Sequence, residues 1–157
     1  MPHVQRGLCR LLYYSAATEL FPVDPVLELE ELRRIARVSR LNNQRIGVTG
    51  MLLLHQRWFV QVLEGPAADV TATYNRILRD RRHRSATPLG AGPIQARDFE
   101  DWAMSAQRVS ATDDAIHLTL ALKGSFDPAR LKAAHALALL KAVARIRAPG
   151  DERTTVP

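Results

Sequence analysis

The sequence predicts an α+β fold: a ferredoxin-like βαββαβ sheet with two helices on one face, an additional strand and a C-terminal helical cap. Three observations carry this reading. Short apolar runs recur at 8–15, 49–54 and 58–63, each bounded by turn-forming or polar residues. A capped amphipathic helix separates the first run from the second, and another helix opens at Pro66 after the third. Only His55-Gln56-Arg57 connects the second run to the third, which makes that pair a hairpin.

Taken in order, Leu8 to Ser15 is apolar on both faces and reads as a central strand. Asp24-Pro25 supplies an N-cap followed by proline at the first helical position. The helix places Leu29, Leu32, Ile35, Ala36 and Ser39 on one stripe and Glu28, Glu30, Glu31, Arg33 and Arg34 mostly outside it, and stops near Asn42-Asn43. Strands follow at 49–54 and 58–63. The second helix keeps Val70, Tyr74, Ile77 and Leu78 at helical spacing. A weaker strand spans 86–94, interrupted by Gly90 and Gly92, and a last one covers 102–109. In this topology the first and third strands are expected to be parallel neighbours at the sheet centre, with both helices over one face.

Within Trp58-Phe59-Val60-Gln61-Val62-Leu63, Gln61 is the one polar residue. Alternation puts Phe59, Gln61 and Leu63 on one face and Trp58, Val60 and Val62 on the other. Both faces read as buried, and leaving the amide unpaired costs about 1–3 kcal/mol. Something polar must therefore meet it: backbone groups at a sheet edge, or a side chain such as Tyr13, whose hydroxyl both donates and accepts. The Tyr13 pairing requires that the face carrying Leu11, Tyr13 and Ser15 be the helical one.

The 157 residues make one domain, and the net charge is +6 with a pI near 10.2. The densest basic stretch, Arg76, Arg79, Arg81, Arg82, His83 and Arg84, reads as a solvated helix end whose cations complement the helix dipole. Without a nucleic-acid-binding module or interleaved aromatics, nucleic acid is not the expected partner. Cys9 is the only cysteine, no apolar run reaches transmembrane length and no signal peptide opens the chain, so a soluble cytoplasmic protein is expected, away from membranes. The five histidines lack metal-ligand spacing, and no metal is expected.

Several segments together resemble the BLUF domain, the blue-light sensor using FAD. They are Arg10-Leu11-Leu12-Tyr13-Tyr14-Ser15, Asn42-Asn43-Gln44-Arg45-Ile46-Gly47-Val48-Thr49-Gly50 and Phe59-Val60-Gln61-Val62-Leu63-Glu64-Gly65. The likeness continues through Tyr74-Asn75-Arg76-Ile77, Asp80-Arg81-Arg82-His83 and Asp101-Trp102-Ala103-Met104-Ser105, covering roughly 8–110 in order. The resemblance implies a photoreceptor of the short, stand-alone type, holding FAD non-covalently between the two helices, or FAD mixed with FMN after heterologous expression. It implies photoactive roles for Tyr13 and Gln61. It places Asn43, with Asn42 beside it, at the ring's carbonyl and imide edge, and Ile35 and Ile77 on either side of the ring. Arg82 and His83 fall near the polar edge and ribityl chain, and Ser39 lies on the same helix stripe. Light then drives transient electron and proton transfer from Tyr13 to flavin, and recombination leaves a rearranged Gln61 hydrogen-bond network and a red-shifted spectrum. Trp102 and Met104 would relay the signal.

Each of these residues also has an ordinary structural role. Tyr13, Ile35 and Ile77 suit any core, Asn43 and His83 suit helix C-caps, Trp102 is a large hydrophobe and Met104 a gap filler.

The division expected is a flavin-binding photosensory domain at 1–110, a helical cap at 111–148 and a disordered tail at 149–157. Thr112-Asp113-Asp114 and Lys123-Gly124 bracket a short helix, although Ile116, Leu118, Leu120 and Leu122 alternate like a strand. Asp127-Pro128 opens a longer helix to about Arg147, whose Leu139, Val143 and Ile146 should pack on the opposite sheet face near Trp58, Val60 and Val62. No enzyme activity is expected. The partners expected are a second copy, most simply in a dimer, and a downstream protein. The alternatives are a non-photochemical interaction module on the same fold and, more remotely, an acylphosphatase-like enzyme, which lacks a visible phosphate loop.

Overall fold

The computed structural model describes residues 7–102, 104–108 and 127–146. Its strands are β1 (Leu8–Ala17), β2 (Thr49–His55), β3 (Trp58–Pro66), β4 (His83–Pro93) and β5 (Ser105–Arg108). They form one sheet in the order β4-β1-β3-β2-β5. The helices are α1 (Pro25–Ile46), α2 (Ala67–Ile77) and α3 (Ala133–Ile146). The βαββαβ order and the additional strand are as the sequence predicts.

One expectation is reversed: β1 and β3 are antiparallel, with Tyr13 opposite Gln61. The β2–β3 hairpin turns the chain back on itself, whereas the α1 crossover leaves β2 running in the same direction as β1. β3 must then oppose β1. The additional strand β5 joins the far edge parallel to β2. The hairpin closes through a two-residue turn, Gln56 (φ 49°) and Arg57 (φ 67°), rather than three connecting residues. Neither residue is glycine, and Arg57 is anchored by donating to the carbonyls of Thr18, Phe21 and Pro22 at 2.7–2.9 Å.

Helix α1 starts as expected, with the Asp24 side chain accepting from the Val26 and Leu27 amides. It ends later than the sequence suggests. Asn42 and Asn43 lie within the helix, and Gly47 caps it in the left-handed conformation (φ 70°), its N–H donating to the Asn43 carbonyl. Glu28, expected outside the apolar stripe, is buried, and its carboxylate meets Arg108 Nε at 2.8 Å and Arg57 at 3.6 Å. Burial raises its pKa against the pull of both cations. Pro66 ends β3, and α2 begins at Ala67; within α2 Val70 and Thr73 are buried while Leu78, just beyond it, is exposed.

The basic run from Arg76 to Arg84 begins at a helix end, with Arg76 in the last turn of α2, but extends past it: α2 stops at Ile77, and His83 and Arg84 already belong to β4. β4 starts three residues before the predicted Ala86. The last strand is shorter than 102–109; Val109 lies outside the described residues, and Trp102 precedes β5.

The sheet separates two cores. Leu32 and Ala36 of α1 and Val70 of α2 pack with Leu11, Leu52, Phe59, Leu63 and Met104 on one face. Ala136, Leu139, Leu140 and Val143 of α3 pack with Leu12, Met51, Val60, Val62, Phe99 and Trp102 on the other, and Trp58 borders them. This is the face expected for Leu139 and Val143. Asp127-Pro128 opens only a 3₁₀ turn, Pro128–Arg130, before extended Leu131 breaks the chain ahead of α3. The expected elements around 112–124, Arg147 and the 149–157 tail lie outside the described residues, as does the Ile146 side chain. Among the described residues no helix is long and apolar enough to cross a membrane.

Glu64 ties the two cores together. Fully buried, it accepts from Arg10 at 2.7 and 2.9 Å and from the Asp98 and Phe99 amides, while Arg10 also pairs with Asp98 and Lys141 of α3 reaches Asp98 at 3.2 Å. Gly50 lets β2 approach β3, since a Cβ there would stand 2.0 Å from the Val62 carbonyl oxygen. Gly50→Ala is therefore expected to lower stability by about 3 kcal/mol, the upper range for overpacking. Urea unfolding checks this, and an unchanged midpoint would contradict the β2–β3 packing.

Candidate functional site

A cavity of about 290 Å³ opens between α1 and α2 above β1, β3 and the residue preceding β5. Its floor is set by strand register. Tyr13 and Gln61 are direct cross-strand partners on the helical face, at 2% and 4% exposure. The Tyr13 hydroxyl donates to Gln61 Oε1, and Gln61 Nε2 donates to Met104 Sδ at 3.4 Å. The buried amide is thus met by a phenol on one side and a thioether, a weak acceptor, on the other. The Tyr13 ring also tilts against Tyr74, with centroids 5.2 Å apart.

The predicted residues on the walls come together. Ile35, Ser39, Asn42 and Asn43 line the cavity from α1, Ile77 from α2, and Arg82 and His83 from the turn and the start of β4. Asn43 has two roles: its carbonyl receives the Gly47 and Val48 amides that end α1, while its residue, 1% exposed, lines the cavity. His83 Nε2 lies 2.7 Å from the Ile77 carbonyl, which can only accept, so that nitrogen carries the proton. Nδ1 is hydrogen-bonded with the Ser15 hydroxyl at 2.8 Å. The helix-capping role is therefore realised alongside the cavity position. Trp102 is not in the cavity. It packs in the α3 core, while Met104, two residues on, packs in the other.

Arg34, Val38, Thr73, Arg76 and Asp80 also line the cavity, as do Leu52 and Phe59, and sequence reasoning did not single these out as site residues. Their signal is positional: Arg34 and Val38 flank Ile35 and Ser39, and Thr73 and Arg76 precede Ile77 by four residues and one. Asp80 binds the Arg82 guanidinium, whose other side donates to Glu31 at 2.6 Å. The Arg82 hydrogen bond holds the Asp80 carboxyl below the usual range, and the Asp80 and Glu31 bonds hold Arg82 firmly protonated.

Burial, reinforced by Tyr74 and Asp80, pushes the Tyr13 phenol far above its ordinary pKa. A raised folded-state pKa means the group's stabilising contribution is complete below the unfolded value, about 10, and is lost as pH rises beyond it. Tyr13→Phe is expected to flatten the fall in stability between pH 10 and 11.5, by at most about 1.4 kcal/mol per pH unit. Urea midpoints across that range check this; a Tyr13→Phe variant with the wild-type slope would contradict it.

The donor set suits a planar ring with a polar edge. An isoleucine from each helix supplies apolar walls, while Asn42, Asn43 and Gln61 supply amides and Tyr13 a phenol. Among the described residues no group of three or more His, Cys, Asp or Glu is placed to hold a metal. A family model described as "Sensors of blue-light using FAD" matches residues 8–105. The photoactivated adenylate cyclase subunit beta of Euglena longa is 34% identical over 67% of this chain, which spans only 12% of that relative. The dark-state structure of BlrB, a BLUF protein, is 29% identical with a TM-score of 0.68, covering 90% of this chain and 98% of its own. A bacterial light-regulated adenylyl cyclase is 34% identical with a TM-score of 0.62, over 70% of this chain and 30% of its own.

Proposed function

The chain belongs to the BLUF family of blue-light sensors that bind FAD, and on that premise we propose that its switch is the Tyr13–Gln61–Met104 network. The observation carrying this reading is the bond from the Tyr13 hydroxyl to Gln61 Oε1 at the cavity floor, with Gln61 Nε2 on Met104. Bound FAD supplies the blue absorption and an excited state that draws an electron from a nearby phenol. Tyr13 is that phenol, and once oxidised it is strongly acidic, with its proton already directed at the Gln61 amide. Electron and proton return to Tyr13 on recombination, so nothing is consumed and the lasting change is a rearranged Gln61. Asn42 and Asn43 hold the ring's polar edge, and Ile35 and Ile77 its faces. Ser39, Arg82 and His83 lie along the remaining wall, where Arg82 and His83 act chiefly by fixing the shape of the site.

Output follows from the division of the sheet. Met104 touches Gln61 on one face, and Trp102 packs with α3 on the other, its carbonyl accepting from Gly50 N–H at 2.8 Å. A shift of this segment would reach the cap, provided that it has two arrangements of similar energy. We assign the photosensory domain to 1–110 and the cap to 111–148. The recipient is another protein, with assembly as a homodimer, the commonest symmetric form. Leu139 and Val143 face the sheet and are fully buried, so the outer side of α3 is the part left for such contacts. The cyclase activity of the relatives is not transferred by a match to so small a share of their length.

Tyr13→Phe and Gln61→Leu are each expected to keep the fold and the flavin while abolishing the light-induced red shift. Tyr14→Phe, on the opposite face, should photocycle normally. Absorption spectra before and after blue light decide this, and a full shift in Tyr13→Phe would overturn the assignment. Leu139→Asp should release the cap and alter assembly while the red shift survives. Sizing chromatography and spectra on one sample test it, and loss of the shift with assembly unchanged would contradict the two-core account.

A further inference from the structure

Tyr74 opens the segment Tyr74-Asn75-Arg76-Ile77 and lies one turn after Val70, on the side of α2 that packs against the sheet. Its ring meets the Tyr13 ring with centroids 5.2 Å apart and planes tilted by 57°, a favourable arrangement for an aromatic pair. Thr73, Arg76 and Ile77 of the same helical turn line the cavity, and Tyr74 does not. Tyr13 does line it. The Tyr13 ring thus has open space on one side and Tyr74 against it from outside the cavity.

That contact bears on where the Tyr13 hydroxyl sits. Strand register fixes the Tyr13 backbone opposite Gln61, but the hydroxyl stands at the far end of a side chain whose second torsion is broad. The ladder with β4 is irregular on both sides of Tyr13, shifting between Leu12 and Tyr13 and again between Tyr14 and Ala16. An O–H···O bond holds only within about 2.5–3.0 Å. A ring free to lean into the cavity would carry its hydroxyl out of reach of Gln61.

Resting on the switch assigned above, we propose that Tyr74 is a positioning residue for the Tyr13–Gln61 pair: its ring braces the Tyr13 ring and keeps the phenol aimed at the Gln61 amide. Tyr74 touches neither Gln61 nor Met104 in the described interactions, so it acts through Tyr13. The brace stays in place while Gln61 rearranges, and electron and proton then return to a phenol that has not moved. The ring does this work, so the Tyr74 hydroxyl is dispensable.

The test compares Tyr74→Phe, Tyr74→Leu and Tyr74→Met with Val70→Ala, which opens space one turn away in the same core. Tyr74→Met keeps the test open should Tyr74→Leu not fold. Two quantities are read on purified protein. One is the yield of the red shift per absorbed photon. The other is the dark-state C–O infrared band of ring-labelled tyrosine, assigned to Tyr13 by its loss in Tyr13→Phe. Tyr74→Leu and Tyr74→Met should lower the yield about two- to tenfold, the factor that an aromatic pair carries, and shift or broaden the Tyr13 band. Tyr74→Phe should match the wild type in both. Val70→Ala should lower the urea midpoint and leave both unchanged. A wild-type band and yield in the ring-less variants would overturn the proposal, as would an equal loss in Tyr74→Phe or in Val70→Ala. A wild type with no red shift would overturn the switch reading, while the infrared band, read without light, would still decide whether Tyr74 holds Tyr13.

Discussion

The antiparallel register of β1 on β3, which sets Tyr13 against Gln61, is the constraint on which the remaining structure depends. Side chains alternate along a strand, so a slip of one residue would bring Tyr14 opposite Gln61 and send one of them through to the α3 face. The register is protected from both sides. Leu11 and Leu63 pair on the helical face, Leu12 and Val62 on the other, and all four are buried. A slip would expose each set to the wrong core, at a cost far above that of an unpaired amide. The polar pair is thus held in position by its apolar neighbours.

That register also gives the two faces different work. The helical face keeps a cavity where a well-packed core would have closed up, and the amide and phenol on its floor bond each other. The α3 face is filled by aliphatic side chains and Phe99 and Trp102. The faces are joined at two places, where neighbouring residues of the chain serve both cores. Trp102 and Met104 do so on the β5 side, and Glu64, three residues beyond Gln61 on β3, joins Arg10 to the Asp98–Phe99 turn beneath α3. Removing one member of a buried charged network is costly because the others are left uncompensated, so this second junction favours a fixed geometry over a movable one. Among the described residues no charged network holds the Trp102–Met104 step.

Much of this was legible in the sequence, for reasons that lie in particular residues. Gln61 in an apolar run demanded a polar partner, and Tyr13 had the right face to be it. Asp24-Pro25 fixed the start of α1, and the spacing of Leu139 and Val143 required a second apolar surface. Strand direction was misjudged because the side-chain pattern of β1 and β3 is the same whichever way they run; only the connections decide it. Asn42-Asn43 looked like a stop, although Gly47 is the residue able to take the left-handed cap. Glu28 looked exposed because its partners Arg57 and Arg108 are remote in sequence. The basic run from Arg76 to Arg84 concealed a turn, since its repeated arginines give no periodic signal to separate the end of α2 at Ile77 from the start of β4 at His83. Arg34 sits in no family-like segment and Arg76 in one that gave it no role, and only the cavity reveals both as lining residues.

The account stands on Gln61 changing its bonding between darkness and light. The most direct measurement is a light-minus-dark infrared difference spectrum of protein carrying isotope-labelled glutamine, compared with the same labelling in Gln61→Glu. The account predicts an isotope-sensitive side-chain amide band that shifts on illumination, recovers in the dark and is absent from the variant. A photocycling protein whose spectrum showed no isotope-sensitive amide change would contradict it.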